Sequence, residues 1–216
     1  MKIINLSEQN SVLNQYLKEI RSVEIQNDPM RFRRNLERIA EIMSYEISKT
    51  LNFVTDNVQT PLGIAPTNVI SNQIVIATIL RAGLPFHQGF LNCFDRAENA
   101  FVSAYRKYKD VIKFDIHIEY IASPDLTQKT LLLTDPMLAT GGSMELSYKA
   151  LLTKGRPSHT HIASVIASQA AIDYLTEHLP DSCTLWVAAI DADLDEHSYI
   201  VPGLGDAGDL AFGTKE

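Results

Sequence analysis

Five short apolar runs constrain this chain more than anything else in it: 74–80 (IVIATIL), 100–105 (AFVSAY), 130–134 (TLLLT), 160–167 (THIASVIA) and 184–190 (TLWVAAI). Each is too short for a buried helix, and each starts roughly 25 to 30 residues after the last, the length of one βα unit. Continuous apolar character, rather than alternation, marks strands covered on both faces, as in a parallel sheet. Helical segments fill the gaps at 84–93, 143–154 (closed by Gly155 and then Pro157) and 169–178 (closed by Pro180). One connection differs. Over 111–121 (VIKFDIHIEYI), Ile112, Phe114, Ile116, Ile118 and Tyr120 fall on alternate positions, so a strand pair forms a flap between the second and third core strands.

The N-terminal third reads as helical after a short strand at Lys2–Asn5. Asp28-Pro29 is a helix start, Asp as N-cap and Pro in the first turn. Phe32, Leu36, Ile39, Met43 and Ile47 then recur at three- and four-residue steps, one buried face. The cluster Arg31, Arg33, Arg34 and Arg38 is expected to be solvated. With 216 residues, 45% hydrophobic and 21% charged, the chain fits one domain spanning 1–216, without repeats or low-complexity tracts. No run approaches the roughly 20 apolar residues of a membrane span. The opening MKIINLSEQNS turns polar too soon for a secretory signal. Cys93 and Cys183 form no metal or redox spacing, so free thiols and a cytoplasmic location are expected. A net charge of −7 weighs against binding a nucleic-acid backbone.

The chemistry concentrates in Thr130–Ser147, TLLLTDPMLATGGSMELS: strand, carboxylate, glycine loop, helix. In open α/β sheets, ligands sit beyond the carboxyl ends of strands, where Asp135 is expected. A carboxylate there accepts hydrogen bonds from vicinal hydroxyls such as those of a ribose. Thr140, Gly141, Gly142 and Ser143 open the next helix. There, backbone N–H groups close on a phosphate and the helix dipole favours the anion. Together they make a pentose-phosphate site; the residues alone also allow a glycine turn with Asp as a local cap. No Gly-Lys-Thr follows, so this is not the ATPase P-loop.

TDPMLATGGS resembles the phosphoribosyl-pyrophosphate (PRPP) signature of type I phosphoribosyltransferases, in the version of the uracil phosphoribosyltransferases. ILRAGL at Ile79–Leu84, the Tyr105-Arg106 pair, and DEHSYIVPGLGDAGD at Asp195–Asp209 with Phe212-Gly213-Thr214 resemble further motifs of that family, in order. RFRRNLERIAEIMSYEI at 31–47 resembles its N-terminal helical hood. The resemblance implies an α/β fold of the type I phosphoribosyltransferase kind: a parallel sheet flanked by helices, with a β-hairpin flap and the hood. It implies transfer of the phosphoribosyl group of PRPP to N1 of uracil, giving UMP and pyrophosphate.

Residue by residue, the resemblance assigns Arg81 and Arg106 to the pyrophosphate and Asp135 to the ribose hydroxyls. Met137, Leu138, Ala139, Thr140, Gly141, Gly142 and Ser143 complete the PRPP site, and Asp206 lies where base and ribose meet. Met137 and Tyr199 flank the uracil ring, while Ile200, Gly205 and Ala207 contact it through the backbone. Arg106, Asp135 and Asp206 are the catalytic assignments. Mg²⁺ arrives with PRPP, with no metal site on the protein itself; GTP is a candidate effector, and a homodimer or larger assembly is expected.

Gly203–Gly208 also satisfies GxGxxG. The dinucleotide fingerprint needs a strand before it and about twenty residues after it, and eight follow Gly208. The sequence departs from the family where ASQAA (167–171) replaces a small-Pro-Glu-Gly turn, where Lys107 replaces Asn, and where Asp195 and Ser198 replace Asn and Gly. His159 and His161 are expected to be partly exposed strand residues, and the run Asp191, Asp193, Asp195, Glu196 a solvated loop, with Asp191 alone at a strand end. Two other functions stay open: a phosphoribosyltransferase for another base such as xanthine, and a PRPP- or UMP-sensing pyrimidine regulator of this fold that binds RNA.

Overall fold

A computed structural model of the chain describes residues 1–108 and 114–214, with side chains described outside 104–119. Strand β1 (Lys2–Asn5) leads through a short 3-10 turn into helices α1 (Leu13–Arg21) and α2 (Pro29–Ser48). A hairpin of β2 (Phe53–Thr60) and β3 (Gly63–Ile70) follows. Next come β4 (Ile74–Leu80), α3 (Gly83–Cys93), β5 (Glu98–Tyr108), β6 (Phe114–Ala122) and β7 (Thr130–Thr134). The last stretch holds β8 (Met137–Leu138), α4 (Gly142–Leu151), β9 (His159–Ser168), α5 (Gln169–His178) and β10 (Cys183–Asp191). Two-residue strands β11 (Asp193–Leu194) and β12 (Ile200–Val201) and helix α6 (Ala207–Phe212) complete the described chain.

The central sheet runs β1-β10-β9-β7-β4-β5-β6, with β8 beside β9. Every pairing in it is parallel except β5 with β6. All five expected core strands are there. Their uninterrupted apolar character has a plain cause: successive side chains face two different cores. Ile76, Leu132, Val165 and Trp186 pack towards α1, α2 and α3, whereas Val75, Leu131, Ile162 and Leu185 pack towards α4 and α5. The expected flap is the β5–β6 hairpin, with Ile112 outside the described residues.

Helix α2 forms as its start signal predicts. The Asp28 carboxylate accepts the Met30 and Arg31 amides at 3.0 and 3.1 Å, and Pro29 needs no amide partner. Phe32, Leu36, Ile39, Met43 and Ile47 are all essentially buried, each worth roughly 1.5–3 kcal/mol. The arginines beside them are engaged rather than merely solvated. Arg31 forks onto buried Glu19, which Asn35 also holds, and these bonds keep its carboxyl at about 2. Arg33 donates to Ala211 O, Arg34 pairs with Glu37, and Arg38 lies over the Tyr16 ring.

Two further expectations need correction. The helical reading holds only to residue 48, after which β2 and β3 pair with each other over Pro61-Leu62. The signal was present: two runs rich in β-branched residues around a Thr-Pro-Leu-Gly turn. Pro66 is tolerated in β3 because both strands of an isolated ribbon are edges. His161 is buried, not partly exposed. Trp186 donates to its Nδ1 at 3.2 Å, and burial together with neighbouring His159 pushes its pKa down to about 3.

Candidate active site

The chain leaves β4, passes outward to β5, and returns on the other side of β4 as β7. This reversal opens a crevice between the carboxyl ends of β4 and β7, the switch point where open α/β sheets bind ligands. Arg81 is the first residue beyond β4, and Asp135 the first beyond β7.

Asp135 is fixed through its own backbone. Its amide donates to Ala163 O of β9 at 3.1 Å, and its carboxylate accepts the Met137 amide at 3.3 Å. Only partly open to the crevice, it sits in apolar surroundings that raise its pKa to about 7 against the opposing pull of the Met137 amide. Next, β8 pairs with β9, turning Leu138 into the core, so Leu138 can serve a ligand only through its backbone.

Gly141 then takes a left-handed conformation (φ 83°) as the N-cap of α4. No side chain caps that end, which leaves the first-turn amides to an outside acceptor. A Cβ on Gly141 would lie 2.9 Å from the Tyr174 ring and 3.3 Å from Ala171 O, so both space and dihedral select glycine. The loop is braced from behind by Ser168. Its hydroxyl donates to Ala139 O at 2.5 Å and accepts the Ala171 amide at 2.9 Å, so one side chain caps α5 and holds the 139–143 loop. Sequence reasoning missed this residue, although Ser ahead of the 169–178 segment is an N-cap signal.

A second loop closes on the same edge. β11 and β12 form a small antiparallel ladder around a turn built on Asp195, whose carboxylate accepts the His197 and Tyr199 amides at 2.9 and 2.8 Å. Tyr199 presents an exposed ring, while the Ile200 and Leu204 side chains are buried. Ile200 and Leu204 can therefore serve a ligand only through their backbone. Gly203–Gly208 runs through this loop into a helix of six residues, and its strand is only two residues long, so the dinucleotide reading fails on context. Asp206 caps α6 by accepting the Asp209 amide at 3.0 Å.

Arg81 joins the two halves. Its guanidinium donates to Asp209 Oδ1 at 3.0 Å and to Gly213 O at 3.3 Å. Met137 and Ala139 pack on the same apolar cluster as Ile200, Leu204 and Ala207. Arg81, Asp135, the 137–143 loop and the 199–207 loop thus share one edge of the sheet. Arg106 belongs to β5, and its side chain lies outside the described residues. A cleft lined by Ile70, Cys93, Arg96, Glu98 and Lys129 opens at the opposite edge, away from both loops.

A mostly parallel sheet with an antiparallel flap, and a carboxylate and glycine loop at its switch point, is the arrangement that the resemblance to type I phosphoribosyltransferases leads one to expect. A hypoxanthine phosphoribosyltransferase of Staphylococcus aureus shares the fold, with a TM-score of 0.51 at 13% identity over 86% of this chain and 84% of that one. A solved protein of Aquifex aeolicus superposes with a TM-score of 0.87 at 28% identity, covering 98% of both chains. The family profile for uracil phosphoribosyltransferase matches residues 7–214. Proteins named uracil phosphoribosyltransferase are 65% identical over the whole length of both chains in Porphyromonas gingivalis, and 39% identical over 86% of this chain and 85% of the relative in Methanothermobacter thermautotrophicus. The chain belongs to the uracil phosphoribosyltransferase family.

Proposed function

We propose that this protein transfers the phosphoribosyl group of PRPP to N1 of uracil, releasing pyrophosphate and forming UMP, a pyrimidine salvage reaction. The observation that carries it is the pairing of Asp135 with the uncapped start of α4 at the switch point, facing a backbone-lined loop on the same edge. Asp135 accepts the ribose hydroxyls, and the amides of Gly141, Gly142 and Ser143 take the 5′-phosphate. Arg81 and Arg106 stabilise charge on the departing pyrophosphate, which is electrostatic preorganisation rather than covalent catalysis. Ile200, Gly205 and Ala207 read uracil O2, O4 and N3–H through alternating main-chain donors and acceptors. Cytosine would leave a buried donor unpaired at a cost of about 1–3 kcal/mol. The β5–β6 flap shields the reacting centre from water, which would otherwise hydrolyse PRPP.

Mg²⁺ enters as the Mg–PRPP complex in this reading. The hard carboxylate oxygens of Asp135 and Asp206 suit it. Phosphate oxygens and water would supply most of its shell. When bound, the ion neutralises negative charge on the leaving pyrophosphate.

We read the protein as a cytoplasmic homodimer or larger assembly. Among the described residues no helix is long and apolar enough to cross a membrane, and both cysteines are free thiols. The apolar β2–β3 hairpin supports self-association.

The test is turnover of a base panel with PRPP. UMP from uracil is expected, and product from xanthine or hypoxanthine but not uracil would refute the assignment. GTP added to the same assay tests the effector expectation.

A further inference from the structure

We propose that Arg21 and Asp191 are positioning residues that set the base-reading loop from behind, without touching the base. The inference rests on the uracil reading above and assigns to α1 a part in specificity.

Asp191 ends β10, the strand end expected for it, and is 6% exposed. Arg21 ends α1, 170 positions earlier in the chain. The guanidinium meets the carboxylate as a fork, Nη1 to Oδ2 and Nη2 to Oδ1, both at 2.8 Å. Nη1 also donates to Gly203 O at 3.0 Å, and the Gly203 amide donates to Asp191 Oδ2 at 2.9 Å. The ion pair therefore grips both polar groups of one loop residue. Burial alone would raise the Asp191 pKa; the Arg21 fork and the Gly203 amide outweigh it and hold the carboxyl below its ordinary value.

Gly203 is the point where the loop most needs holding. It is left-handed (φ 55°), and a Cβ there would come within 2.0 Å of Ile200 O. Oriented to satisfy both carbonyls, the Gln26 amide donates to Ile20 O at 2.9 Å and to Leu204 O at 3.0 Å, a second tie, from the α1–α2 connection. Immediately beyond lie Gly205, Asp206 and Ala207. A loop that reads a base through its main chain must be held to within about 0.5 Å, and its glycines give it no stiffness of its own. A buried ion pair is a poor source of net stability, since apolar residues of equal volume serve as well. Two charges that clamp the amide and the carbonyl of one residue do something an apolar pair cannot.

Steady-state kinetics of Asp191→Asn and Arg21→Lys test the proposal, with folding followed by circular dichroism. Lysine keeps one bond to Asp191 but lacks the fork that also reaches Gly203 O. A loop displaced by such a loss is expected to raise the KM for uracil about tenfold while the KM for PRPP stays within about twofold. Arg21→Lys should fall between wild type and Asp191→Asn. If Asp191→Asn does not fold, Arg21→Lys and Gln26→Ala decide by the same split. Equal rises in both KM values, or no change in folded variants, would overturn the proposal. A wild-type protein without uracil turnover overturns the function reading itself, an outcome told apart by the wild-type control.

Discussion

Asp135 carries two consequences of its surroundings. Its pKa is raised from the ordinary 3.8 to about 7, so the folded chain binds this proton more tightly than the unfolded one. Its contribution to stability is therefore favourable at low pH and lost as pH rises from about 4 to 7. Asp135→Asn removes this penalty. Thermal unfolding should show the variant gaining on wild type across that window, by on the order of 4 kcal/mol at most, with the gain level above pH 7. A difference independent of pH would contradict the burial argument. In the proposed reaction the same carboxylate is ionised to accept hydrogen bonds from both ribose hydroxyls, so kcat/KM for PRPP should fall about tenfold per unit below pH 7. Asp206 caps α6, and in the proposed reaction it also faces the base–ribose junction. Asp206→Asn keeps a capping oxygen, so it should unfold near the wild-type temperature yet lose at least about tenfold in uracil turnover. Near-normal activity would place the base elsewhere.

At the level of elements, the two helix starts differ in purpose. The N-cap of α2 is closed by Asp28, whereas that of α4 carries a glycine with no side chain to offer. Asp28→Ala should cost about 1 kcal/mol in urea unfolding and leave both KM values alone. Gly141→Ala should do the reverse in kind. The left-handed penalty of about 1–2 kcal/mol and the Tyr174 contact shift the loop, and the KM for PRPP should rise at least about tenfold. An unchanged PRPP requirement would remove the phosphate from this loop. Ser168 explains why ASQAA serves where the family has a small-Pro-Glu-Gly turn: its hydroxyl does the bracing.

For the whole molecule, the β2–β3 hairpin is the outlying part. Val54, Val58 and Val69 line one face of it, exposed, and Leu62 at its tip is fully so. An isolated two-stranded ribbon is marginal in water, which is why its apolar row calls for a partner surface. Replacing Val54, Val58 and Val69 with serine should shift the protein from dimer or larger to monomer in light scattering. A wild-type monomer at micromolar concentration would sink the assembly reading. The two apolar clusters, one on each face of the sheet, show why this architecture carries its site on an edge: both faces are already covered.

Local patterns settled the parallel strands, the helices between them, the flap and the Asp135–Ser143 loop. Strand length, helix period, N-caps and glycines are all properties of neighbouring residues, so they are legible without a fold. The β2–β3 ribbon was legible in the same way, in its β-branched runs and turn, although the helical reading passed over it; spacing could not say that the arginines of α2 had partners or that His161 was buried under Trp186. Nor could it join Arg21 to Asp191 and Gly203, because that contact exists only once the sheet has brought the first helix beside the end of its last long strand. Partners so distant along the chain are chosen by packing, and packing is the part of the energy that no short window of residues contains.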